Sequence, residues 1–225
     1  MIARWYHRRF EIFLATQVAI LFGSLVVPAA FFETVLEPVL FLLNLAAGVL
    51  LLSRKPPMMW FGIAVLALST LIFALSASGE PDSEGLGLVR MAGYFSFYLL
   101  VAVEIIKQVW RAKKVGRNVI YGLTSGYICL GLIGFFICLS IELVHPGSFQ
   151  GLVAENSGTS TGALTEQLMY FSFITLMTIG YGDILPITAL AQKAAMFIGL
   201  AGQFYLVIIT AVVVGKFLQQ RTEAQ

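Results

Sequence analysis

Five consecutive residues, Thr178-Ile179-Gly180-Tyr181-Gly182, followed by Asp183, hold the most informative chemistry in this chain. Backbone carbonyls of such a run can replace the hydration shell of a potassium ion, provided the run is repeated around an axis. Gly180 and Gly182 reach backbone angles that are costly for other residues, which lets successive carbonyls face one side. Ile179 and Tyr181 are then expected to point away and wedge against surrounding helices. Thr178 offers both its carbonyl and a hydroxyl, the hydroxyl toward an inner cavity. Ions are expected at Thr178, Ile179, Gly180 and Tyr181, with the carbonyl ladder running on to Gly182. A lone Gly-Tyr-Gly is more often a simple turn. Here it follows a short segment rich in aromatics and threonines and precedes a long apolar one. The run occurs once in the chain, so several identical chains must meet to surround an ion.

The elements around the run constrain it further. The segment Leu164 to Met177 is too short to cross a bilayer, which takes about 20 residues at 1.5 Å each. A short helix going in and extended chain coming back fits that length. The returning carbonyls are tolerable at membrane depth only if they line a hydrated path or bind ions. Thr165 or Thr161 is a candidate cap for the short helix, and Glu166 suits its positive end. The negative end would point to the centre of a pore.

Composition agrees with a membrane setting. Of 225 residues, 59% are hydrophobic and 12% charged, against roughly a quarter charged in a soluble domain. The mean hydropathy is +0.89. Apolar runs predict spans from about Phe10 to Phe32, Val35 to Leu52, Met58 to Ala77, Leu86 to Trp110, Asn118 to Leu143 and Ala191 to Leu218. The expected fold class is therefore an all-α membrane protein: six transmembrane helices plus a re-entrant pore helix and filter. The first stretch follows a basic N-terminus as a signal peptide would, but its length reads as a retained helix.

Charge sorts with this topology. Arg4, Arg8, Arg9, Arg54, Lys55, Arg111, Lys113, Lys114, Arg117, Lys216 and Arg221 all fall on one side, which the positive-inside rule makes cytoplasmic, with both termini. Glu33, Glu80, Asp82, Glu84, Glu155 and Asp183 fall on the other. Residues 1–110 are read as a four-helix peripheral domain, 111–117 as a basic cytoplasmic linker, 118–218 as a two-helix pore domain with its loop at 164–186, and 219–225 as a short cytoplasmic tail. Short basic loops between spans do not indicate nucleic acid. Cys129 and Cys138, nine residues apart on one helix, face opposite ways and read as small buried hydrophobes.

Residues Tyr170 to Pro186, YFSFITLMTIGYGDILP, resemble the pore loop of the tetrameric potassium-channel superfamily. With the flanking helices, the resemblance spans roughly Asn118 to Leu218. It implies stacked ion sites on the filter carbonyls, a homotetramer, no enzymatic activity, and no cofactor besides permeating potassium. By matching distance from the tyrosine, Gly202 falls at the family's inner-helix hinge, and Thr210, Val214 and Leu218 fall near the inner gate. Close packing is the alternative for Gly202 and the preferred reading for Gly199. Tyr170, Thr175 and Asp183 are the expected filter supports. Two departures stand out. Tyr170-Phe171 replaces a tryptophan pair that many members carry, and Ile174 replaces a glutamate that some bacterial members pair with the filter aspartate. Tyr170 retains a hydroxyl for Asp183, while Phe171 has none.

Four helices ahead of the pore suggest a voltage sensor, but the fourth offers only Arg90 near its outer end, then Gly93, Ser96 and Leu99 at the sensor spacing. Steep gating needs about 3–4 charges per subunit. Glu104 shares a helix face with Lys107 and Arg111, which suggests an ion pair, with proton or ligand sensing as the alternative. Glu142 reads as a water-facing anchor or a filter-side brace, and His145 as a loop residue. The basic loops could touch anionic lipids. The reading is a potassium-selective, homotetrameric channel in a cell membrane (plasma or bacterial inner), with membrane lipids and an unidentified membrane or regulatory protein as further partners. A weakly selective cation channel is the alternative, and a transporter or a non-conducting scaffold stands behind it.

Overall fold

The computed structural model describes residues 8–28, 31–53, 55–77, 84–112, 115–152 and 161–222. The first part contains α1 (Arg9–Phe22), continued by a single 3-10 turn at Gly23–Leu25. A π-helical turn at Phe32–Leu36 leads into α2 (Glu37–Leu52), followed by α3 (Pro56–Ala77) and α4 (Glu84–Arg111). Next come α5 (Arg117–Val144), the two-residue strand β1 (Phe149–Gln150), α6 (Thr161–Leu176) and the second strand β2 (Leu185–Pro186). The last helix runs as α7 (Ala189–Phe204), a π-helical segment at Tyr205–Ile209, and α8 (Thr210–Thr222). The fold is that of an all-α membrane protein, with one short antiparallel strand pair added.

Five helical stretches among the described residues are long and apolar enough to cross a membrane: Thr34–Leu52, Pro56–Ala74, Met91–Arg111, Arg117–Val144 and Ala189–Gln220. The first expected span is shorter than its apolar run. It stops near Leu25 because Pro28 disfavours helix at the residue before it and lacks an amide donor. The chain then restarts, with the amides of Phe31 and Phe32 both bonding to the Pro28 carbonyl. Pro38 lies in the first turn of α2, and the wider π-helical turn sits directly ahead of it.

The chain divides into two compact units, Met1–Gly126 and Tyr127–Gln225. The division falls inside α5, not at the basic stretch 111–117. The reason is packing within the first unit: Gly122 of α5 lies against Phe10 and Val109, and the Gln17 side-chain amide donates to the Ser125 carbonyl at 3.2 Å. A buried asparagine organises this unit. Asn44 donates to the Phe13 carbonyl (3.1 Å) and the Thr16 hydroxyl (2.7 Å), and accepts from the Tyr98 hydroxyl (2.7 Å). One amide thus joins α1, α2 and α4 and leaves none of its own polar atoms unpaired, as burial in apolar surroundings demands. Gly48 allows Phe97 to close over α2, since a Cβ there would sit 2.5 Å from the ring.

Glu104 departs from its expected partners. It is buried, and it pairs with Lys55, just ahead of α3, while Gln108, one turn along α4, donates to its second oxygen at 3.2 Å. The pairing is set by tertiary packing across 49 residues of sequence, not by helix spacing. The side chain of Arg90 lies outside the described residues. Cys129 and Cys138 are both free and buried, as small hydrophobes would be.

Candidate functional site

The second unit is built around α6. At 16 residues this helix is about 24 Å long, short of the roughly 30 Å apolar core of a bilayer. Small residues let it lie close against α5. The Ser172 hydroxyl donates to the Gly131 carbonyl at 2.7 Å, and a Cβ at Gly134 would come within 2.4 Å of that hydroxyl. Close backbone approach through glycine and serine is the usual way helices associate without a hydrophobic driving force. The helix begins at Thr161, so Thr165 lies in its second turn and does not cap it, and Glu166 lies outside the first turn. The Thr161 side chain lies outside the described residues.

The C-terminal end of α6 shows how the chain enters the Thr178–Gly182 run. The Met177 amide bonds to the Phe173 carbonyl (2.9 Å), Thr178 to Thr175 (3.0 Å), and Ile179 to Ile174 (2.9 Å). The last two bonds, with Thr178 at φ 58°, form a Schellman cap, whose left-handed position is usually glycine. A β-branched residue there is a genuine outlier, costing about 1–3 kcal/mol, and such strain gathers at functional sites. Gly180 (φ 56°) and Gly182 (φ 82°) repeat the left-handed conformation, whereas Ile179 and Tyr181 do not share it. This alternation turns successive peptide planes over, which is what brings carbonyls to one edge of an extended strand. Among the described residues, no hydrogen bond reaches the carbonyls of 178–182. Thr175 supports the run through its backbone, and so does Ile174, whose carbonyl also receives the Gly180 amide at 3.4 Å.

Ile179 and Tyr181 do not wedge against helices of their own chain. They are 47% and 69% exposed. Tyr170 and Asp183 are brought together, near enough for the carboxylate to act on the phenol hydroxyl. Phe171 is buried and meets the Phe149 ring edge-on at 5.2 Å.

The outer end of the run has a brace that the sequence left open. Glu142, near the end of α5, accepts from the amides of Gly147 (2.7 Å), Ser148 (3.0 Å) and Phe149 (3.1 Å). That carboxylate fixes the chain entering β1, which pairs with β2 just past Asp183: Phe149 opposite Pro186, Gln150 opposite Leu185. The Ile187 amide bonds to the Ser148 carbonyl at 2.9 Å and extends the connection. Gly151, at φ 93°, packs so tightly on the Asp183 carbonyl that a Cβ would lie 2.1 Å from it. The visible signals for this brace were Pro146-Gly147 and Gly151, which mark turns but not what the turns hold.

On the last helix Gly202 packs closely. Its Cβ would meet the Leu176 carbonyl at 2.2 Å, whereas a Cβ at Gly199 would find its nearest neighbour, the Thr175 carbonyl, at 3.9 Å. The departure from regular helix comes one turn later, at Tyr205–Ile209. Such π-helical insertions are frequent at functional sites. Tyr205 packs against Tyr127 at 5.7 Å, and the Tyr127 hydroxyl donates to the Leu176 carbonyl at 3.3 Å. Thr210, Val214 and Leu218 recur every four residues along one face and are all exposed. Only 22% of this span is buried, against 61% of α5.

Two predictions follow from these contacts. Gly202→Ala should lower the unfolding temperature of the detergent-solubilised protein, from overpacking worth about 1–3 kcal/mol. Gly199→Ala should leave it unchanged or raise it, since alanine favours helix by roughly 1 kcal/mol. A Gly202→Ala protein as stable as the parent would mean the contact with Leu176 is not tight. Glu142→Gln should speed hydrogen exchange at the amides of residues 147–149 by about tenfold or more, from the loss of charge-assisted bonds worth about 1.5–3 kcal/mol. Unchanged protection there would remove Glu142 from the brace.

Residues 123–220 match the model of a family described as "Ion channel", a stretch running from the second turn of α5 to near the end of the last helix. No curated protein and no solved structure matched the chain. The matched stretch contains the short helix, the left-handed alternation and the exposed inner helix. Through it the chain, a helical membrane protein, resembles the ion-channel family.

Proposed function

We propose that the chain is one subunit of a homotetrameric, potassium-selective channel whose filter is Thr178 to Gly182. The observation that carries this reading is the alternation of left-handed backbone at Thr178, Gly180 and Gly182, placed where a helix ends too early to have crossed a bilayer. Four such strands around an axis would present rings of carbonyls to dehydrated potassium, and a closed symmetric ring needs no further partner. The exposed Ile179 and Tyr181 side chains and the largely uncovered last helix favour assembly, since neighbouring copies would bury them. In this reading the chain crosses the membrane six times, both termini are cytoplasmic, and conduction is passive. Steep voltage gating is not part of it, because α4 lacks a stripe of arginines. Thr210, Val214 and Leu218 line the inner mouth, and the apolar pair blocks ions there by dewetting when the helices converge.

Reversal potentials in mixed potassium and sodium, recorded from the purified protein in planar bilayers, test the proposal. Gly180→Ala and Gly182→Ala each put a methyl group on left-handed backbone, at a cost of about 1–2 kcal/mol per position in every chain. Both should lose current or lose preference for potassium. A variant with the parent's current and reversal potential would defeat the filter assignment, and equal permeation of both ions by the parent would favour a weakly selective pore.

The inner mouth is tested separately. Cysteine introduced at Thr210 should react with cytoplasmic thiol reagents much faster in open channels than in closed ones. Equal rates in both states would place the gate elsewhere.

A further inference from the structure

At one end of the first unit, a half-open cavity of about 400 Å³ lies where α1 begins, α3 begins and α4 ends. Its walls carry Arg9, Lys55, Lys107 and Arg111, with Glu104 and Gln108 between them. Four cations therefore face one carboxylate. The frame is built and held. Lys55 is engaged by Glu104. Gln108 acts as a neutral strut: it accepts from the Arg9 guanidinium at 3.1 Å and donates to Glu104 at 3.2 Å and to the Leu51 carbonyl at 3.4 Å. Lys107 and Arg111 are exposed and make no ion pair among the described residues.

Ordinary topology signals account for basic residues at helix ends, but not for this arrangement. Lys107 and Arg111 are like charges one turn apart, a spacing that costs a helix about 0.2–0.5 kcal/mol. With Arg9 and Lys55 they converge on the same concave space instead of spreading into water. An excess of three positive charges around a volume of this size fits a small polyanion, and guanidinium and ammonium groups together suit phosphate oxygens.

We propose that this cavity binds a ligand carrying clustered phosphate groups, either the headgroup of an anionic lipid or a free phosphorylated molecule. Its position at the ends of apolar helices favours the lipid, because basic pockets between spans on the cytoplasmic side meet anionic headgroups. That preference rests on the six-span orientation proposed above; phosphate binding itself does not. Glu104 then has a defined part. It neutralises Lys55 and sets how much positive charge the empty pocket retains.

The test uses full-length protein and a binding readout independent of ion current, so failure of the channel reading leaves it intact. One arm measures association with phosphatidylcholine nanodiscs containing phosphatidylinositol bisphosphate, against phosphatidylcholine alone. The other titrates inorganic pyrophosphate into the detergent-solubilised protein. Binding in the first arm alone identifies a lipid site, and binding in both identifies recognition of the phosphate groups themselves. In either case the affinity should fall as salt rises, because screening acts within about 10 Å at 0.1 M. Lys107→Gln with Arg111→Gln, both at exposed positions, should weaken binding about thirty-fold, at about 1 kcal/mol per basic residue. Glu104→Gln should tighten it, a direction that mere structural damage would not produce. No binding to either probe, or unchanged affinity in the double variant, would overturn the proposal.

Discussion

A helix that ends inside a bilayer must find partners for its last four carbonyls, since no water is there to take them. In α6 all of them are accounted for. Phe173 receives the Met177 amide, Ile174 the amides of Ile179 and Gly180, Thr175 the amide of Thr178, and Leu176 the Tyr127 hydroxyl. Much else in the second unit is arranged around this solution. The Schellman cap requires left-handed backbone at Thr178 and so starts the alternation that Gly180 and Gly182 continue. With the helix's own carbonyls satisfied from within, the negative end of its dipole is held in one place. The next carbonyls are left to face something other than protein. Glycine would be less strained at this position; in the proposed channel the Thr178 hydroxyl would add an oxygen that glycine lacks.

The two ends of the run are secured by different means. The inner end is tied by backbone hydrogen bonds and by the contact of Gly202 with Leu176. The outer end is tied by the Glu142 carboxylate and the β1–β2 pair, with Tyr170 close to Asp183. In the tryptophan-pair and glutamate–aspartate arrangements that the resemblance brings to mind, side chains of the pore helix do this bracing. Here Phe171 and Ile174 are buried, and in the proposed channel the loop after α5 would take over the task. The departures at those positions are thus matched by a substitute elsewhere in the same unit.

The short helix and the glycine alternation were legible in the sequence because both are local: a length too small for a bilayer and residues that tolerate positive φ. The helical course of α2 to α5 and of the last helix was legible for the same reason, from long apolar runs. What escaped depends on contacts between distant residues. Lys55 and Glu104 lie 49 positions apart, and helix spacing pointed to Lys107 and Arg111 instead. The strand pair joins residues on either side of α6, and two-residue strands have no periodicity to read. Pro28 was visible, but its effect in shortening α1 competed with an apolar run that continues past it. The sequence offered both Thr161 and Thr165 as starts of α6, and the helix takes the earlier one.

The last helix carries two requirements that pull against each other. Gly202 must stay within reach of the Leu176 carbonyl, so the stretch beside α6 is poorly suited to act as a pivot. An inner mouth that opens and closes still needs some place where the helix can change direction. In the proposed channel the π-helical segment Tyr205–Ile209 would supply it, because a wider turn has already given up the regular i to i−4 ladder and can shift register at little further cost. Tyr205 lies within that segment and packs against Tyr127, whose hydroxyl holds the end of α6. A register shift there would move Thr210, Val214 and Leu218 together while leaving Gly202 in contact with Leu176. It would also disturb the aromatic contact beside the bond that satisfies Leu176. In the proposed channel, motion at the mouth and support of the filter would therefore be linked through a single tyrosine pair.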